Sequence, residues 1–188
     1  MFGLDTTPFA KLINLLLFQG VWFLTILGAA AGNGWVGIVG LGIFLIIHFL
    51  TAETAAADFR LAIIAMLLGL ITETLLVQLG VFNYQANFPV PGIAPAWLLV
   101  LWASFALTMN SCINWLQERY LLAAVLGAIG GALSYLGGLK LGAASTAMPM
   151  WVVLLIMAVI YALVTPGLLF LARKFALQYA IKKPGSAA

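Results

Sequence analysis

Charged side chains are scarce in this sequence. Asp, Glu, Lys and Arg make up 7% of its 188 residues, against roughly 25% in an average soluble domain. So few charges cannot cover the surface of a water-soluble protein. Cysteine is nearly absent: the single Cys112 excludes an internal disulfide, and its place within an apolar run is that of a small buried side chain. Histidine occurs once, at His48, and neither a ligand-rich motif nor paired carboxylates on one helix face could complete a metal site, so no metal is expected. Walker loops, dinucleotide-binding glycine fingerprints, nucleophile elbows and histidine boxes are all missing, which leaves soluble-cofactor chemistry without support. No cofactor is expected. Ser111, Cys112 and Ser134 have no neighbouring base in sequence to activate them as nucleophiles. The stretch Met1 to Pro8 lacks the basic start and small-residue cleavage site of a secretory signal, and is read as retained.

What is present is apolar. Hydrophobic residues account for 65% of the chain and the mean hydropathy is +1.17. They fall in runs of about twenty, the length that ~30 Å of hydrocarbon requires. Six such segments stand out, roughly 9–31, 35–51, 60–81, 93–116, 120–139 and 149–172. They lack the alternation of membrane strands, so helices are the reading that satisfies every backbone group in lipid. The sequence thus predicts an all-α, polytopic membrane protein, one domain over 1–188, built as a bundle of about six transmembrane helices.

The net charge of +3 reads as a topology signal and not as a nucleic-acid footprint, because half of the basic residues lie in the last sixteen positions. No nucleic-acid partner is expected. Counted along alternating connections, seven of the eight Lys and Arg lie on the side of the termini and Lys140 alone lies opposite. The positive-inside rule then places both termini in the cytoplasm of a multi-pass inner-membrane protein. The basic tail 173–188 should continue the sixth helix to Ile181, with its cations among anionic membrane lipids, until Pro184-Gly185-Ser186 ends it. On the outer side, the link from Phe82 to Gly92 is rich in aromatics, amides and prolines, and reads as an anchoring belt or as a lid over a cavity. No convincing duplication relates 1–90 to 91–188, so an inverted-repeat transporter has no support in the sequence. Small residues recur at helix-packing spacing: Gly28 with Gly32, Gly127 with Gly131, and the series Gly130, Ser134, Gly138, Gly142. They permit close helix approach, or leave space for a ligand.

Polar groups within hydrocarbon are costly, so they mark candidate sites. Glu73 is the foremost. It lies thirteen residues beyond Arg60, or ~20 Å along a helix toward the outside, and it shares a face with Gly69, Leu76 and Gly80. It is expected inside the bundle as a proton-linked or cation-binding carboxylate, or as a plain interhelical hydrogen bond, with Tyr135, Ser134 or Gln78 as its partner. A second, inner polar cluster comprises Asn14, His48, Asn110 and Asn114, the two last one turn apart on the fourth helix, with Thr165 beside them. In this reading Glu53, Asp58 and Arg60 belong to the link after His48, and Gln19, at intermediate depth, connects the two clusters. Interhelical amide bonds worth ~0.6 kcal/mol each would equally explain the inner group.

These landmarks are similar to those of the bacterial DUF2878 proteins, a family of small polytopic inner-membrane proteins. The resemblance rests on Asn14, Gln19 and Trp22, on His48, on Gly69 with Glu73, and on Pro95-Ala96-Trp97 with Leu101-Trp102 and Phe105. It continues through Gly130-Gly131, Ser134-Tyr135, Gly138 and Leu141-Gly142, spanning about 10–145. Two departures stand out: the family often has Asp where this chain has Glu73, and a Pro where it has Ala132. The resemblance implies no defined activity. Family genes neighbour those of cyclopropane-fatty-acid-synthase-like enzymes, which implies a component of membrane-lipid metabolism or stress response.

Three functions remain open on these residues. One is a bundle that binds a small amphipathic or lipidic molecule for transport or delivery, comparable in size and helix number alone to the substrate-binding subunits of energy-coupling-factor vitamin transporters. The second is a membrane-embedded lipid-modifying enzyme with Glu73 or His48 as acid or base. The third is a structural or assembly subunit without a ligand. A cavity reaching Glu73 favours the first, a polar cavity at His48 the second, and a solid bundle the third. A transporter of this size would need a partner membrane protein or a second copy of itself.

Overall fold

A computed structural model describes residues 7–182. The start before Thr7, expected to be retained, and Lys183 with Pro184-Gly185-Ser186, expected to end the last helix, lie outside the described residues, as does the side chain of Lys182. The described residues form six α-helices and one two-stranded clasp: α1 (Pro8–Ala30), α2 (Trp35–Thr51), α3 (Ala55–Gln78), β1 (Asn83–Tyr84), α4 (Ala96–Ala106), α5 (Tyr120–Lys140), β2 (Ala144–Ser145) and α6 (Met150–Lys182). Four of the helices, α1, α3, α5 and α6, are long and apolar enough to cross a membrane. At 17 and 11 residues, α2 and α4 extend only ~25 and ~16 Å at 1.5 Å per residue.

Local chemistry sets the boundaries. Thr7 caps α1 by accepting from the Ala10 N–H at 3.2 Å, with Pro8 in the first turn where its missing N–H costs nothing. α3 begins at Ala55, earlier than the apolar run suggests. The Thr54 carbonyl accepts from the Ala57 and Asp58 N–H groups at 2.8 and 2.9 Å, and the Asp58 carboxyl sits in the first turn, where the helix dipole favours it. Most of the expected link from Glu53 to Arg60 is therefore helix, and Asp58 belongs to the bundle. Gly80 and Gly142 end α3 and α5 in the left-handed region, at φ 72° and 86°, where a residue without Cβ fits.

The largest departure from the sequence reading is the fourth helix. In place of a span over 93–116, α4 stops at Ala106, and the chain continues through tight turns to a 3-10 turn at Asn114–Leu116. Side chains take carbonyls that a continuing helix would use: Thr108 Oγ1 donates to Phe105 O at 2.6 Å, Asn14 Nδ2 to Leu107 O at 3.3 Å, and Gln117 Nε2 to Met109 O at 3.1 Å. Thr, Asn and Ser compete with helical hydrogen bonding in this way. Irregular backbone at membrane depth is tolerated where protein or a cavity surrounds it.

Packing pairs α1 with α2, α3 with α4, and α5 with α6, while α3 also meets α6 and α4 meets α1 and α2. One apolar core, including Phe44, Leu61, Leu107 and Leu169, lies toward the end that holds the chain termini. The other, including Phe82, Trp97, Val153 and Met157, lies under the clasp. In the clasp Asn83 pairs with Ser145 and Tyr84 with Ala144, antiparallel, so the two outer loops close over one end of the bundle. Large apolar side chains such as Ile71, Leu155 and Leu163 face outward, as lipid contact requires.

Candidate functional site

Glu73 is 0% exposed and accepts from three donors. The Tyr84 hydroxyl reaches Oε2 at 2.7 Å, Trp102 Nε1 reaches Oε1 at 3.0 Å, and the Tyr135 hydroxyl also donates to Oε1. Each donor arrives on a different element. Trp102 lies flat on α3 because position 69, one turn before the acid, has no side chain; a Cβ there would stand 2.5 Å from the indole. Tyr84 is delivered by the clasp, and its ring stacks on Phe82 at 5.4 Å. Burial pushes the Tyr84 phenol well above its ordinary range, and the Glu73 carboxyl beside it pushes the same way, so Tyr84 keeps its proton and donates. Tyr161 of α6 closes the group, 5.7 Å from the Trp102 ring and 6.0 Å from that of Tyr135.

On the other side of Trp102 and Tyr135 lies a cavity of about 580 Å³. Its walls come from α1 (Phe18, Trp22), α4, α5 and α6 (Tyr161, Thr165), and its floor is the irregular stretch carrying Ile113, Trp115 and Leu116. Among the described residues no Lys, Arg, His, Asp or Glu lines it. The Trp22 Nε1–H donates to Ser134 Oγ at 2.8 Å, tying α1 to α5 near the clasp, and below this tie the two helices stand apart. The exposed side chains of Phe23, Leu126 and Leu133 border that gap, so the mouth opens sideways between apolar helix flanks. The glycines of α5 divide by face. Gly127 and Gly131 seat α6 against Thr165 and Tyr161, whereas a Cβ at Gly130 would meet nothing within 4 Å, because this face borders the cavity.

Of the partners expected for Glu73, Tyr135 is brought to it and two are not. Ser134, the next residue on the same helix, points away and bonds Trp22. Gln78 donates instead to Gly92 O at 2.5 Å, on the exposed side. Gln19 faces the cavity and bonds neither polar cluster. Tyr84 and Trp102 were not foreseen as partners. Both were visible as aromatics, in the outer link and on the fourth helix, but only the clasp and the bare position 69 bring them to the acid.

The inner cluster is organised differently from the sequence reading. Its hub is Asp58, which is 0% exposed: His48 Nε2 stands 2.9 Å from Oδ2, Thr54 Oγ1 donates to Oδ2 at 2.7 Å, and Asn110 Nδ2 donates to Oδ1 at 2.6 Å. Gln117 Nε2 in turn donates to Asn110 Oδ1 at 2.7 Å. Asn14 and Asn114 stand outside this group. Asn14 bonds the Leu107 carbonyl, and Asn114 accepts from Lys11 Nζ at 3.0 Å. Asn110 and Asn114 do not share a helix face, because no helix exists there. Thr165 faces Gly127 across the α5–α6 contact. Among the described residues no three His, Cys, Asp or Glu side chains are grouped to hold a metal.

A predominantly helical chain with four membrane-length apolar helices, an outward-facing apolar surface and a carboxyl sealed within the bundle is an integral membrane protein. The model of the family described as "Protein of unknown function (DUF2878)" matches residues 11–167, from the first turn of α1 past the middle of α6. The chain belongs to the DUF2878 family. No protein of curated function and no solved structure matches it.

Proposed function

We propose that this protein binds a small amphipathic or lipidic molecule inside its helical bundle, in the bacterial inner membrane, for transport or delivery within membrane-lipid chemistry. The observation that carries this reading is the apolar cavity of about 580 Å³ that opens sideways between α1 and α5 and ends on Trp102 and Tyr135, the two side chains that hold Glu73 from that side. Ligand sites combine apolar walls with a few placed polar groups in this size range. A mouth bordered by lipid-facing side chains admits a molecule from the hydrocarbon and not from water. The enzymatic alternative at His48 is less well supported, since His48 and Asp58 are buried and spend their polar atoms on each other, Thr54 and Asn110.

The test is mass spectrometry of small molecules extracted from purified protein, compared with Gly130→Phe. A side chain grown from position 130 enters the cavity without meeting another residue at its root, so the variant folds while the space is filled. An amphipathic species in near-stoichiometric amount with the parent and lost from Gly130→Phe is the expected result; identical extracts would overturn the reading.

A further inference from the structure

Glu73 accepts from three neutral donors, and no Lys, Arg or His among the described residues is paired with it. Among the described residues His48 pairs with Asp58 and Arg173 with Glu118. A carboxyl at membrane depth needs either a proton or a cation, because an uncompensated charge in that environment is strongly disfavoured. The partition between Glu73 and the cavity is aromatic. Trp102 and Tyr135 turn their N–H and O–H toward the acid and line the cavity together with Trp22 and Tyr161. Donation to a carboxyl makes both rings richer in electrons, and such rings attract cations. No cationic side chain among the described residues lines the cavity to receive an anion.

We infer that the cavity takes a hydrophobic organic cation, an amine or quaternary onium group on an apolar body, with its charge against Trp102 and Tyr135 and Glu73 behind them as counter-charge. This rests on the reading of the cavity as a ligand site and specifies its chemistry. Tetraphenylphosphonium and tetraphenylborate have the same shape and opposite charge, so they separate the two claims. Both are titrated by equilibrium dialysis against the full chain in uncharged detergent, with Gly130→Phe as the blank for micelle partitioning.

The expected result is phosphonium binding at least about tenfold tighter than borate, a difference of about 1.4 kcal/mol. Glu73→Gln should erase that preference and Glu73→Asp should keep it, so a folded, charge-retaining variant controls for general damage. Equal binding of the two probes, or phosphonium binding that Glu73→Gln leaves unchanged, with both probes still excluded by Gly130→Phe, overturns the cation assignment and leaves the cavity as a ligand site. Binding indifferent to Gly130→Phe overturns both.

Discussion

Trp102 can reach Glu73 because position 69 is bare, and this makes Gly69 and Gly130 opposite cases within one protein. Gly69→Ala puts a methyl 2.5 Å from the indole ring. The ring must shift, breaking its bond to the acid, and overpacking of this kind costs about 1–3 kcal/mol. Gly130→Ala meets nothing within 4 Å, and its effect should be neutral or stabilising by up to about 1 kcal/mol through helix propensity. Unfolding in detergent followed by circular dichroism checks both, and equal effects would contradict the packing described. The inner network gives a third case. Asp58→Ala leaves Thr54 Oγ1 without its partner at 2.7 Å and His48 Nε2 without its partner at 2.9 Å, and reduces Asn110 Nδ2 to its longer bond with the Ala172 carbonyl at 3.3 Å. At about 1–3 kcal/mol for each buried group left unsatisfied, the loss should reach about 3 kcal/mol or more. Asn114→Ala, which releases only the part-buried bond from Lys11, should cost less than about 1 kcal/mol by the same assay.

The long helices were legible because hydrophobic run length and caps act locally: α2 was expected at 35–51 and is found at Trp35–Thr51, and α5 at 120–139 is found at Tyr120–Lys140. What composition could not show was where side chains replace helical hydrogen bonds. The stretch from Leu107 to Ile113 is apolar enough to extend α4, yet contacts from Asn14, distant in sequence, and from Gln117 just beyond the stretch settle its shape. The strands were invisible for a related reason, since two residues on each side carry no periodicity and their pairing joins loops sixty residues apart. Glu73 stood out by its cost in hydrocarbon, but of its three donors only Tyr135 could be found by depth along a helix. Tyr84 depends on the clasp, which can be tested directly. In a Cys112→Ser background, Asn83→Cys with Ser145→Cys should cross-link on mild oxidation, because facing residues of an antiparallel pair have Cα atoms ~4.5–5.5 Å apart, within disulfide range. Cross-linking of Asn83→Cys with Ala147→Cys should be slower, and the reverse order would refute the register of Asn83 with Ser145.

The contacts also sort the charges into two ends. Lys11 bonds Asn114 and Arg173 pairs with Glu118, so the start of α1, the stretch before α5 and the later part of α6 share one end of the bundle. Lys140 closes α5 just before β2, at the opposite end with the clasp. Arg60 near the start of α3 and Lys174 on α6 lie with the first group, and on the positive-inside rule we propose that this end faces the cytoplasm and the clasp the outer face. Glu73, tied to the clasp through Tyr84, then lies nearer the outer surface, while the cavity floor at Trp115 and Leu116 lies nearer the cytoplasm. This orientation is open to labelling in a Cys112→Ser background. Ala147→Cys, exposed beside β2, and Lys174→Cys, exposed on α6, are each treated with a membrane-impermeant maleimide on cells whose outer membrane has been opened. Reaction at position 147 in intact spheroplasts, and at position 174 only after the inner membrane is lysed, is the expected pattern. Labelling of position 174 before lysis would invert the molecule and place the acid on the cytoplasmic side of its own cavity.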